Sequence, residues 1–135
     1  MCPVPDPPSV PPLVLVRLHG EFAVCRLAPD ALLAPWMGQG SVTSVTRTPD
    51  ELSVVVECAH VPGGVRHEGP FVAFMVEGPL DFSLTGILAR LSAPLADAGV
   101  PIFVLSTFDT DYVLVRSDHA EAAADTWRRV GVVVG

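Results

Sequence analysis

Lysine is absent from this 135-residue chain, whose eight cations are all arginines set against fifteen acidic residues, for a net charge of −7. Nucleic acids and anionic membranes reward a concentrated cationic face, so neither is an expected partner. Cysteine is scarce: Cys2, Cys25 and Cys58 are too few, odd in number and too widely spaced for a disulfide framework, which points to a reducing, cytoplasmic setting. No apolar run approaches the roughly 18 residues that a spanning helix needs, so a soluble protein is expected. The first twelve residues hold six prolines, one aspartate and no cation. They do not read as a secretory leader, which needs a basic region and an apolar one. Walker loops and dinucleotide fingerprints are missing as well.

What remains is a chain half of whose residues are hydrophobic, enough for one compact unit or two very small ones. Residues 1–12 read as an extended, polyproline-like tail, because proline fixes its own backbone and restricts its predecessor. Residues 13–18 and 21–27 read as strands broken at Gly20, either a hairpin or one bent strand. Leu32, Leu33, Trp36 and Met37 fall at helical spacing and predict a short helix over 30–37. Residues 41–47 and 52–57 predict an antiparallel hairpin around the Thr48, Pro49, Asp50, Glu51 turn. The glycine-rich stretch 59–69 reads as a loop between two halves.

The second half opens with an apolar strand over 71–76. Next comes an amphipathic helix with a stripe of Leu84, Ile87, Leu88, Leu91, Leu95 and Ala98. Pro94 predicts a kink in that helix without ending it, and Gly99 is placed to end it in a left-handed conformation. Strands over 102–106 and 112–116 flank a polar turn. Ser117 and Asp118 are expected to cap a last helix reaching Val130, with Trp127 and Val130 inward, before a short valine strand. The element order is that of a split βαβ unit, an α+β arrangement with helices on one face of an antiparallel sheet. The first half repeats it imperfectly, with its second helix reduced to the 59–69 loop.

Gly86, Ile87, Leu88, Ala89, Arg90 and Leu91, followed by 95–102, resemble the ACT-domain signature. The longer strings 77–86 and 106–115 resemble small bacterial tandem ACT proteins similar to the Castor arginine sensors of animal cells, and 22–26 and 44–53 extend the likeness. The chain departs from the ACT pattern at Thr85, often a proline there, and the first half lacks the motif glycine. The resemblance implies two ferredoxin-like ACT subdomains of βαββαβ order, over 13–69 and 70–135, the first degenerate. It implies no catalysis, cofactor or metal, and a small ligand, usually an amino acid, at an interface between subdomains or subunits. A homodimer and a regulated protein partner are expected with it.

The residues supply a physical case for such a site. An amino acid presents a carboxylate close to an ammonium, so its receptor needs an anion cradle beside an acidic patch. Asp81, Phe82, Ser83, Leu84, Thr85, Gly86 and Ile87 form the first candidate half, where free N–H groups and the positive end of a helix dipole favour an anion. Gly86 would let a ligand approach that turn without a Cβ in the way. Ser106, Thr107, Phe108, Asp109, Thr110 and Asp111 form the other half. Their carboxylates and hydroxyls suit an ammonium, at roughly 1.5 to 3 kcal/mol per charge-assisted bond before desolvation. Plainer roles stand beside these: Asp81 or Ser83 as a helix cap, Asp109 as a turn former, Phe82 and Phe108 as packing aromatics. Asp109 with Asp111 is a weak cation site for want of a third carboxylate, and Cys58, His60 and His67 are too few for zinc. Neither Cys25 nor Cys58 carries the features of an activated thiol, and His19 and His119 read as surface residues. A structural interaction module with a vestigial pocket and an adhesive sheet edge is the alternative to an amino-acid sensor.

Overall fold

The computed structural model describes residues 13–78 and 86–135; the expected tail at 1–12 lies outside them. The apolar run that follows the tail forms β1 (Val14–Arg17), and the alternating run after Gly20 forms β2 (Phe22–Leu27). Both lie antiparallel to one long strand, β5 (Arg66–Val76), with Arg17 opposite Phe74 and Phe22 opposite Phe71. Of the two arrangements the sequence allows, the bent strand is the one formed.

β3 (Ser44–Arg47) and β4 (Leu52–Glu57) make the expected hairpin. Thr48 closes its turn: its N–H donates to the Glu51 carbonyl at 2.9 Å, and its hydroxyl accepts the N–H groups of Asp50 and Glu51 at 3.2 and 3.1 Å.

The helix expected over 30–37 does not form. Only a 3-10 turn at Pro35–Gly38 is helical, and Leu32 and Leu33 are 87% and 66% exposed. Ala34, forced out of the helical region by the proline after it, is extended at φ −120° and ψ 155°. Arg47 holds the preceding segment open by donating to the carbonyls of Pro29 and, at 2.8 Å, Ala31. Helical spacing therefore misled where a proline vetoed the backbone.

The second half runs β5, α1 (Ile87–Asp97), β6 (Phe103–Ser106), β7 (Asp111–Arg116), α2 (Ala120–Arg129) and β8 (Val133–Val134), the βαββαβ order. The architecture is α+β: two helices on one face of a single eight-stranded sheet. Its path is β3-β4-β2-β5-β1-β8, with β7 on the other edge of β5 and β6 beyond it. Among the described residues β1 with β8 is the parallel pair, and the other pairings are antiparallel. The first strand of the chain is thus inserted between the first and last strands of the βαββαβ unit.

The loop expected over 59–69 is shorter than the sequence implies. Cys58–His60 form a 3-10 turn, and β5 has already begun at Arg66, five residues before the apolar run. Gly69 and Pro70 punctuate the strand without ending it: the β2–β5 register shifts between Phe22 and Val24, as at a bulge. Gly69 has φ +145°, and a Cβ there would stand 2.9 Å from the Phe22 carbonyl oxygen.

On the helix-bearing face Leu15, Val72, Phe74, Val113 and Val115 pack against Leu91, Leu95, Ala123 and Trp127. Trp127 meets Phe74 edge-on, centroids 5.0 Å apart, and its indole N–H donates to the Leu91 carbonyl at 2.9 Å, joining both helices to the sheet. Helix α1 continues through Pro94, and Gly99 adopts φ +74° after it, both as expected. The stripe is narrower than predicted: Leu88 and Ala98 are exposed. Val130 is 52% exposed rather than inward; α2 has ended at Arg129, and after the turn at Gly131 it is Val132 that is buried. Ser117 does not cap α2; its hydroxyl donates to Glu21 at 2.5 Å, and a 3-10 turn over Ser117–His119 precedes the helix. His119 is half-buried, and its Nδ1 meets no hydrogen-bond partner among the described residues.

The opposite face carries no helix among the described residues. Phe22, Val55, Phe71, Ala73 and Leu114 form its core, with Phe103, Leu105 and Tyr112 packed alongside.

Gly69→Ala should destabilise the fold by about 2 kcal/mol or more, since it strains the backbone and drives a methyl into a carbonyl. Gly63→Ala, with open space around it, should move the urea midpoint little. Glu57 accepts the Ser41 hydroxyl and N–H at 2.7 and 3.1 Å, and these bonds, with His60 behind them, hold its carboxyl below the ordinary range. A lowered folded-state pKa stabilises above the unfolded value near 4.3, and that stability is lost as pH falls through the folded value. Glu57→Gln should therefore cost about 1 kcal/mol at pH 7, and urea melts of the two proteins should converge as pH is lowered below 4.

Candidate functional site

The β6–β7 hairpin ends in a closed tip. The Thr107 N–H and hydroxyl both donate to the Thr110 carbonyl, at 2.8 and 3.0 Å, and the Thr110 N–H returns to the Thr107 hydroxyl at 3.2 Å. Such reciprocal side-chain to backbone bonding is what threonines offer a turn. Beside this tip lies an open cleft of about 320 Å³ lined by Met75, Gly78, Thr107, Asp109, Thr110 and Tyr112. It combines one carboxylate, two hydroxyls, a phenol and a thioether.

Strand alternation decides which expected residues share the cleft. Tyr112 is paired with both Met75 and Leu105, and Leu105 belongs with the core of the helix-free face. Ser106 and Asp111 are paired with each other one position along, which turns them to the face where Val104 and Val113 pack with the helices. The polar turn therefore divides: Thr107, Asp109 and Thr110 line the cleft, while Ser106 and Asp111 lie on the opposite face of the sheet. Phe108 stands 81% exposed at the tip.

Of the other candidate half, Asp81, Phe82, Ser83, Leu84 and Thr85 lie outside the described residues. Gly86 is the residue before α1, at φ +79°, and a Cβ there would meet nothing within 4 Å. Its glycine answers to backbone conformation, not to close approach. Ile87 packs against the helix-side core. The first intrahelical bond runs from the Arg90 N–H to the Gly86 carbonyl at 2.9 Å, so the N–H groups of the first turn precede the ladder. Neither Gly86 nor Ile87 lines the described cleft.

Met75, Gly78 and Tyr112 are lining residues that sequence reasoning passed over. Apolar strand residues look like core by composition. The available signal was the period of two: Tyr112 adjoins the turn and Met75 the end of β5, on one face.

No three of His, Cys, Asp and Glu converge as a metal site among the described residues. Burial pushes the thiols of Cys25 and Cys58 up, Cys58 adding to the effect on Cys25 and Glu21 to that on Cys58, which is the opposite of nucleophile activation. On the helix-free face Arg116 lies over the Phe71 ring at 5.2 Å and donates to Glu68 at 2.8 Å, holding that carboxyl low. No described helix is long and apolar enough to cross a membrane.

Comparison with known proteins gives this geometry a context. The ACT-domain family model matches residues 66–129, and a second model, described as an N-terminal domain, matches 20–64. An Agobacterium tumefaciens protein of known structure is 36% identical over 93% of this chain and 94% of its own, with a TM-score of 0.88. A Vibrio cholerae protein of unknown function is 18% identical over 88% of this chain and 90% of its own, at 0.73. The aspartate kinase of Clostridium acetobutylicum, an allosteric enzyme, shares the fold at 0.62, with 14% identity over 82% of this chain and 33% of its own. No curated protein matches the chain.

Proposed function

The chain belongs to the family of the Agobacterium tumefaciens protein and carries an ACT domain over residues 66–129, and on that premise we propose that it is a non-catalytic regulatory module that binds an amino acid. The observation that supports this reading is the cleft beside the hairpin tip of the ACT domain, with Asp109 on its wall and Tyr112 and Met75 beneath. Asp109 would hold the ligand's ammonium, helped by the Thr107 hydroxyl as acceptor, and the apolar lining would take part of the side chain. The likeness of 77–86 and 106–115 to the Castor sensors belongs to the same proposal, as do a cytoplasmic setting, a homodimer and a protein partner that reads the ligand state. Activity of a ligand-free module requires only that the partner distinguish two conformations for which the ligand has different affinities.

A second reading, a structural interaction module, rests on the sheet edges. Among the described residues β3 pairs only with β4 and β6 only with β7, leaving a free backbone edge on each.

A thermal-shift screen against the twenty amino acids separates the two. At a hundredfold excess over the dissociation constant, a true ligand adds about 2.7 kcal/mol of stability, a shift of several degrees. Asp109→Ala should weaken the responding ligand at least about tenfold while the unliganded melt is kept. Retained affinity in Asp109→Ala with loss in Asp111→Ala would move the ammonium site to the helix-bearing face. Silence across the whole set at millimolar concentration would leave the interaction module as the reading.

A further inference from the structure

The cleft owes its shape to the way one ladder stops. Backbone pairing between β5 and β7 ends at Met75 and Tyr112. The next carbonyl on β5 is that of Val76, and it faces β7, because the following N–H, from Glu77, donates to Val14 on the other side at 2.8 Å. A backbone donor would take that carbonyl if the ladder continued. Instead the Thr110 hydroxyl does, at 2.5 Å. Thr110 is 8% exposed, the buried polar residue of the described core. Its own N–H and carbonyl are already committed to Thr107, so the tip is one hydrogen-bonded unit and this hydroxyl ties it to β5.

We propose that Thr110 is the positioning residue of the cleft, its hydroxyl setting how far the wall that carries Thr107 and Asp109 stands from the wall that carries Met75 and Gly78. This deepens the binding reading above and rests on it for its biological meaning, though not for its physical test. It also assigns the hydroxyl proton to Val76, leaving Thr110 able to offer a ligand only an acceptor lone pair.

Tyr112 is the single tyrosine of the chain and lines the cleft, so tyrosine-selective labelling gives one ring signal that reports on it. In Thr110→Val the side chain keeps its volume and loses its donor. The ring signal of Tyr112 should move, and amide exchange at Thr107, Thr110 and Tyr112 should quicken about tenfold, the loss expected for one hydrogen bond. Exchange at Val54, in the distant hairpin, should be unchanged. Thr110→Ser, which keeps the hydroxyl, should return the ring signal and the protection toward those of the parent; Thr110→Ala serves in place of the valine variant if that one does not fold. A donor-less variant indistinguishable from the parent in both readouts overturns the proposal, as does a serine variant as perturbed as the valine one, which would assign the effect to methyl packing. Neither readout needs a ligand, so a silent amino-acid screen counts against the binding reading and leaves this test standing.

Discussion

One edge of β5 is paired along most of its length and the other from Phe71 to Met75, and the rest of the molecule follows from that constraint. One edge takes β1 and β2 in succession, the other takes β7, so a strand of eleven residues serves both halves of the chain. A strand shared in this way satisfies its backbone groups through its neighbours. That requirement places the bulge at Gly69: the chain has to change register between β2 and β5 while keeping the Phe22 backbone within reach, and only a residue without Cβ fits there. It also makes the two halves mutually dependent, because β1, from the first, separates β5 from β8, both of the second. The C-terminus is sewn in the same way, the Gly135 N–H donating to Leu15 and the Arg17 N–H to Gly135 at 2.8 and 3.1 Å.

From the same constraint comes the cleft. Where β5 and β7 stop pairing, the hairpin tip must end its own hydrogen bonding locally, and the threonines at 107 and 110 allow it to. The end of β5 and the closed tip of β6–β7 then stand apart, with Met75 on the first, Thr107, Asp109 and Thr110 on the second, and Tyr112 between. A recess formed by an unfinished ladder differs from one carved between domains: it is built from one sheet and the tip of one of its hairpins.

Much of this was legible in the sequence, and the failures have identifiable causes. Alternation and turn chemistry gave the β3–β4 hairpin around Thr48 and the β6–β7 hairpin around Thr107, because period two and a hydroxyl at the turn are local signals. The βαββαβ order of the second half was readable for the same reason. The helix over 30–37 failed because apolar spacing was weighed above Pro35, although the proline acts on the backbone directly. The start of β5 was hidden since Arg66, His67, Glu68, Gly69 and Pro70 have no strand composition, and they are held by register with β2, a long-range fact. Of the polar-turn candidates, Thr107, Asp109 and Thr110 line the cleft, whereas the separation of Asp109 from Asp111 onto two faces required knowing where the strand begins. DxD spacing within a strand would put both carboxylates on one side; here the first belongs to the turn and the second opens β7.

That separation bears on how occupancy of the cleft would be felt elsewhere. Tyr112 faces the cleft, and its neighbour Val113 is fully buried among the helix-side core with Leu91, Leu95 and Trp127. A ligand that pulls the tip toward the end of β5 acts on the first residues of β7, whose alternate side chains are already packed against α1 and α2. Interiors at crystal-like density do not absorb such a shift by compression, so the helices or the strand must move as bodies. The size of the response is bounded by the ligand's difference in affinity for the open and closed tip, whatever its total affinity. Tight binding to a cleft already held at its final width would signal nothing. A regulatory role in this fold thus demands that the tip retain some freedom when empty, and among the described contacts a hydroxyl tie from Thr110 to Val76 stands where another rung of ladder would be.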